Sequence, residues 1–257
     1  LDKLIQKFGN DTDTEIKQHV AKAMFEKKEA MDKKECEQKQ QVAWAMIEKI
    51  VSLDELNRHD DAIKVYDELI QKFGNDTDTE IKKLVAKAMY GKGLSLFKLD
   101  RHDDTIQVCD ELIEKFGNDT DTEIKKLVAM AMYGKGRSFS LLKRYEDAIK
   151  AYDKFLLEFY DEYDDAGITK RIVSAIFEKG ESLYKLGRYD DAIKAYDKLL
   201  LEFDTFKDFE LFLRKYDNET DTIIKQLVPK AMFKKKKAKF VSFITTLKSR
   251  VFGAFQR

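Results

Sequence analysis

Arg58-His59-Asp60-Asp61-Ala62-Ile63 returns as Arg101-His102-Asp103-Asp104-Thr105-Ile106 and as Arg144-Tyr145-Glu146-Asp147-Ala148-Ile149. A fourth copy is Arg188-Tyr189-Asp190-Asp191-Ala192-Ile193. The spacings are 43, 43 and 44 residues. A fixed period of this size marks a repeat architecture, in which each unit is one supersecondary element. A second block, Phe73-Gly74-Asn75-Asp76-Thr77-Asp78-Thr79-Glu80-Ile81, recurs from Phe8 and from Phe116. A decayed form, Asn218-Glu219-Thr220-Asp221-Thr222-Ile223, lies nearer the C-terminus.

Each unit reads as two helices. Ile81, Leu84, Val85, Ala88, Met89, Leu96 and Leu99 follow helical i, i+3, i+4 spacing. Thr77 with Glu80 three residues later has the form of a capping box. Helix A of this unit is therefore predicted from about Asp78 to Leu99. Helix B is predicted to start near Asp103, where the paired acids Asp103 and Asp104 suit the positive end of the helix dipole. Its apolar residues are Ile106, Val108, Cys109, Leu112, Ile113 and Phe116, and Gly117 is expected to end it in a left-handed cap. Two helices cannot bury their apolar faces alone. Stacked neighbours bury them together, which makes a solenoid.

Composition agrees and excludes several classes. The chain has 257 residues, 48 basic and 48 acidic, and a formal net charge of zero. That balance gives no global basic field for nucleic acid, and none is expected as a partner. No run approaches the 18 apolar residues of a membrane span, so membrane association is not expected. Two cysteines, Cys36 and Cys109, make neither a disulfide framework nor a structural zinc site. A hydrophobic fraction of 43% is too high for a disordered chain. A single proline favours helices. Nothing directs export, so the cytoplasm is the expected location. The chain starts at Leu1 rather than Met, which is compatible with a piece of a longer protein.

Ala175-Ile176-Phe177-Glu178-Lys179-Gly180, then Leu183-Tyr184-Lys185-Leu186-Gly187-Arg188-Tyr189-Asp190-Asp191-Ala192, then Tyr196 and Leu199, resemble a tetratricopeptide repeat (TPR). Gly180 and Ala192 stand where the two helices of that motif press closely. Gly93 and Gly136 repeat the first position, Ala62 and Ala148 the second. The period departs from the family's usual 34 residues; the extra length goes into helix A and the Gly-Asn-Asp-Thr linker, and the proline after helix B is absent. The resemblance implies an all-α, TPR-like α-solenoid, a right-handed superhelix of antiparallel helix pairs. The expected organisation is a partial repeat or long helix over 1–36, then repeats at 37–74, 75–117, 118–160 and 161–204. An aromatic insert over 205–217 and a partial repeat or capping helix over 218–257 follow.

The ends are less regular. Residues 15–24 and 37–46 resemble one another at an offset of 22, which predicts one long helix from about Asp13 to Leu56 with the same face buried throughout. Two helices broken near Asp32-Lys33-Lys34 are the competitor. Lys230-Ala231-Met232-Phe233-Lys234-Lys235 repeats the start of helix A, and Phe240, Phe243, Ile244, Leu247, Val251 and Phe255 continue an apolar stripe. It reads first as a capping helix. The run Lys234 to Lys237 leaves contact with an anionic surface as the sharper alternative. Phe206, Phe209, Leu211, Phe212, Leu213 and Tyr216 read as an extension of helix B or a docking element.

No constellation for catalysis stands out, so a non-enzymatic protein without cofactor or metal is expected. His59 and His102 hold the position of Tyr145 and Tyr189, which suits a packing ring rather than a base, and His19 stands apart. Cys109 holds the position of Tyr66, Tyr152 and Tyr196, a packing position. Asp76, Asp78 and Glu80 alternate as in a calcium loop, but Ile81 replaces the required glycine and Lys87 the terminal acid. Asn10, Asn75, Asn118 and Asn218 open glycosylation-type triplets that turn chemistry already explains. Gly91-Lys92-Gly93 lies mid-helix rather than in a phosphate loop.

In the family, helix A residues line the inner face and receive a partner. The corresponding positions here are Trp44 and Ile47 in the first unit, and Lys87, Tyr90, Leu94 and Phe97 in the second. The third supplies Met130, Tyr133 and Arg137, and the fourth Ser174, Phe177, Glu181 and Tyr184. Tyr90, Tyr133 and Phe177 share one position, which makes them either packing between A helices or anchors for a ligand. Leu94, Arg137 and Glu181 stand where a carboxylate-gripping member would carry Asn, so such a clamp is not expected. The resemblance implies a scaffold binding a peptide or helical segment of a protein partner. A regulatory or sensor segment of a larger enzyme or defence protein is the alternative, and self-association through the end helices a third reading.

Overall fold

The structure is a computed structural model that describes residues 14–160, 166–201, 230–242 and 245. Among these residues every element is an α-helix. They are α1 (Thr14–Glu55), α2 (His59–Phe73), α3 (Thr79–Lys98), α4 (His102–Phe116), α5 (Thr122–Leu141), α6 (Tyr145–Phe159), α7 (Ala166–Lys185), α8 (Tyr189–Leu201) and α9, residues 230–242. Odd-numbered helices are the A helices of the repeat and even-numbered ones the B helices. The aromatic segment at 205–217 and the apolar positions Phe243, Ile244, Leu247, Val251 and Phe255 lie outside the described residues.

The Arg-x-x-Asp stretch that reveals the repeat is the A-to-B turn. Asn57, Asp100, Lys143 and Gly187 hold positive φ values of 55°, 57°, 60° and 75°. The next amide donates back into helix A: Arg58 N to Leu53 O, Arg101 N to Leu96 O, Arg144 N to Phe139 O and Arg188 N to Leu183 O, all at 2.9–3.0 Å. With the bonds from Asn57, Asp100, Lys143 and Gly187 to Asp54, Phe97, Ser140 and Tyr184, each turn is a complete Schellman motif. The Arg side chain then pairs with the acid three residues on, as Arg58 does with Asp61 and Arg188 with Asp191 at 2.7 Å. The left-handed residue therefore closes helix A. Gly74 and Gly117, after the B helices, are right-handed at φ −57° and −59°, contrary to the sequence expectation. The predicted capping residue is also off by one. Asp78 accepts from Ile81 N at 3.0 Å, and Asp121 accepts from Glu123 N and Ile124 N, so the aspartate and not the preceding threonine is the cap.

Two compact units are distinguished, residues 1–88 and 89–257. In the first, α1 runs unbroken for 42 residues and packs against α2. Ala43, Ile50, Ala62 and Leu69 are buried there. The expected common face along α1 does not appear: Val20 and Ala23 are buried while their counterparts Val42 and Ala45 are exposed. A shift of 22 residues turns a straight helix by about 40°, enough to move a side chain off a narrow contact. Cys36 Sγ and Gln40 Nε2 of α1 donate to Asp78 at 3.2 and 3.1 Å. These donors and the Ile81 amide hold the Asp78 carboxyl below its usual range.

In the second unit α4 packs on α5, α6 packs between α5 and α7, α8 packs on α7, and α5 also packs on α7. Leu112, Ile124, Tyr152, Phe155, Ile172 and Tyr196 form its interior. Glycine permits the closest approaches. A Cβ on Gly136 would lie 2.5 Å from the Tyr152 ring, and one on Gly180 2.5 Å from the Tyr196 ring. One ion pair recurs at each junction: Lys135 with Asp110, Lys179 with Asp153 and Lys235 with Asp197. The last of these places α9 in register as a further A helix.

Candidate partner-binding site

The aromatic ring at the repeat position of Tyr66, Tyr152 and Tyr196 is normally closed over by two features. In the α5–α6 and α7–α8 pairs a glycine of helix A receives the ring, and in all three pairs an acid accepts its hydroxyl. Tyr66 donates to Asp54 at 3.1 Å. Tyr152 donates to Glu178, and Tyr196 to Glu181 at 2.6 Å. Burial first, and then the adjacent carboxylate, push all three phenols above their usual range.

The α3–α4 pair keeps the glycine but lacks the ring and its acceptor. Cys109 replaces the ring. The positions equivalent to Asp54, Glu178 and Glu181 are Phe97, Gly134 and Leu94, none of which accepts a side-chain hydrogen bond. Gly93, which corresponds to Gly136 and Gly180, has nothing nearer its Cβ direction than Val108 at 3.9 Å and Cys109 Sγ at 4.0 Å. The result is an open cleft of about 200 Å³ whose floor includes Gly93, Cys109 and Gly134. Tyr90, Leu94, Phe97, Met130, Tyr133 and Arg137 line it, with Arg171 of α7. Six residues chosen from the sequence as partner-facing thus meet around one cavity.

Arg137 stacks over Phe97 at 4.8 Å and stands 3.8 Å from Glu178. Glu178 also accepts from Tyr133 at 2.9 Å, 45 residues away in sequence. The sequence reading missed Glu178. The signal was present in the series Gly91, Gly134, Glu178, one repeat position that changes from no side chain to a carboxylate.

The remaining positions are placed differently. Trp44, half-exposed, has Lys87 Nζ 6.0 Å from its ring centroid, and Ile47 is half-buried. Phe177 packs 6.0 Å from the Tyr196 ring, and Ser174 is half-buried beside it on α7. Glu181 and Tyr184 are engaged by the chain itself: Lys234 donates to Glu181 at 2.6 Å, and Lys234 and Lys237 lie over the Tyr184 ring. Those contacts also account for most of the basic run of α9. Phe233 and Phe240 on that helix remain exposed.

The residues set aside as non-catalytic have packing roles. His59 Nδ1 bonds Asp54 at 2.9 Å, and His102, opposite Phe97 instead of an acid, packs against that ring at 5.1 Å with the planes tilted by 56°. Burial pushes the Cys109 thiol up to about 12, which leaves it un-ionised at neutral pH. Among the described residues no cluster of His, Cys, Asp or Glu could hold a metal ion, and no helix is long and apolar enough to cross a membrane.

No curated protein matches the chain. Three family models, each described as a tetratricopeptide repeat, match residues 47–120, 130–159 and 173–206. Together they span just over half of the sequence and fall on the helix pairs described above. An all-α succession of stacked helix pairs with those matches makes this chain a member of the tetratricopeptide repeat family.

Proposed function

We propose that the chain is a non-enzymatic scaffold that holds a peptide or helical segment of a partner protein on the face built by its A helices, centred on the cleft over Cys109. Tetratricopeptide repeats generally mediate protein–protein interaction. The observation that carries the reading to this site is the convergence of Tyr90, Leu94, Phe97, Met130, Tyr133 and Arg137 around one apolar cavity. Leu94, which lines the cavity, is 44% exposed. Aromatic and arginine side chains around a concave apolar centre are the composition of an interaction hot spot, and Met130 adds an adaptable contact.

Site-specific photocrosslinking tests this. A benzophenone amino acid at position 94 is compared with one at position 157, where Leu157 is 86% exposed on a B helix. In lysate of the source cell, position 94 is expected to give discrete partner adducts that position 157 does not. Adducts at 157 alone, or none at 94, would overturn the proposal.

A further inference from the structure

Resting on that reading, we propose that the cleft takes one aromatic side chain of an acidic peptide segment, which occupies the place that the repeat's own tyrosine ring fills in the other pairs. Three observations lead there. The first is shape. Gly93 is kept free of a side chain, as Gly136 and Gly180 are for Tyr152 and Tyr196, yet among the described residues no ring comes within 4 Å of its Cβ direction. A volume of about 200 Å³ suits a ring with its methylene, since a closed apolar cavity of about 150 Å³ admits benzene.

The second is chemistry. The interior offers Phe97, Tyr90, Met130 and the Cys109 sulfur, which are apolar or polarisable partners for a π-face. The hydroxyl acceptors found in the other pairs are missing here, so a ring without a buried polar group is the better fit.

The third is charge. Among the described residues, those lining the cleft carry two guanidiniums, Arg137 and Arg171, and no carboxylate. Arg137 stands where Glu181 closes the α7–α8 pair, and Arg171 stands where Leu84 and Leu127 do, so charge has been introduced at this cleft against the repeat pattern. Glu178, which accepts from Tyr133 and Tyr152, pairs with Arg137 at 3.8 Å and partly offsets that guanidinium, so Arg171 is the main cation offered to a ligand. Arg171 donates to Gly167 O through Nη1 at 2.7 Å, which leaves its fork able to take a carboxylate. Acids flanking the inserted ring complete the match, and a basic segment would be repelled.

The test selects a phage-displayed random dodecapeptide library on the immobilised full chain, with Cys109→Phe as the counter-target. The phenylalanine at 109 refills the space without adding a hydroxyl. Enriched peptides are expected to carry an aromatic residue flanked by Asp or Glu, and to be depleted on the variant. In fluorescence anisotropy an enriched peptide should weaken at least tenfold when its aromatic is changed to Ala, and at least tenfold against Cys109→Phe. Basic or purely aliphatic enrichment, no enrichment, or equal binding by a folded Cys109→Phe would overturn the inference. Should that variant fail to fold, Gly134→Glu replaces it. Its Cβ meets only Cys109 Sγ, at 4.0 Å, and its carboxylate should cost the acidic peptide tenfold; retention overturns the proposal. Partner adducts at position 94 that survive Cys109→Phe would sink this inference alone. Loss of all adducts at position 94 in the unmodified background would sink the scaffold reading itself.

Discussion

The α3–α4 and α5–α6 pairs share most of their sequence and differ in how they are closed. In α5–α6 a tyrosine ring lies against a bare glycine and hands its hydroxyl to a carboxylate of the next A helix. In α3–α4 the glycine is present, the ring is a cysteine and the carboxylate is a glycine. One pair is a finished piece of core and the other is an opening. The difference teaches that a repeat protein can open a cavity by subtraction, without altering its helices or turns.

Transplanting the opening is the strongest way to test this. Tyr152→Cys copies α4 into α6 and leaves Glu178 with one donor fewer. Loss of a buried ring should cost about 3 kcal/mol in urea-induced unfolding. The two glycines sharpen the contrast. Gly136→Ala is expected to destabilise by about 1–3 kcal/mol, because its Cβ meets the Tyr152 ring. Gly93→Ala is expected to stabilise by about 0.5–1 kcal/mol, since open space leaves only the helix preference for alanine. Equal effects at the two sites would show that the cleft is closed in solution.

The turns provide a control, because there the pairs do not differ. Lys143 and Asp100 hold the same left-handed geometry without being glycine. Lys143→Gly and Asp100→Gly should each raise stability by about 0.5–1 kcal/mol, with a matching rise in melting temperature. The smallest expected effect is on pH dependence. Cys109 has its folded pKa raised to about 12 from an ordinary value near 9, so its contribution is whole below about pH 9 and is lost as pH rises toward 12. Cys109→Ala should flatten the decline of stability between about pH 8.5 and 9.5, where phenols with an ordinary pKa near 10 are still mostly protonated in the unfolded chain. An unchanged slope would mean that the thiol is reached by solvent.

Much of this was legible in the residues. Helix A of the second unit was predicted from about Asp78 to Leu99 and runs Thr79–Lys98, because periodicity and turn chemistry agree there. The left-handed cap was read at the wrong end of the pair, since Gly117 is the most favoured residue for it while Asn57 and Asp100 adopt it at lower cost than most side chains and Lys143 against preference. Tertiary closure by the Schellman bonds outweighs that preference. The substitution of Cys109 into a tyrosine position was plain in the sequence; the space it leaves was not, because that depends on what Gly93 and Gly134 face. Glu178 was missed for a similar reason. Its partners Tyr133 and Tyr152 come from other helices 45 and 26 residues away, beyond any local pattern.

The recurring Lys–Asp pairs carry a final consequence. Lys135–Asp110, Lys179–Asp153 and Lys235–Asp197 are chemically the same and partly solvated, so none can tell its proper neighbour from another. A chain of near-identical units with identical staples has degenerate ways to stack while it folds, the typical failure of repeat arrays. Tyr152 on Glu178 breaks that degeneracy, because no other junction offers this acid to this ring. The contact that closes the third pair thus also works as an address, fixing which unit follows which.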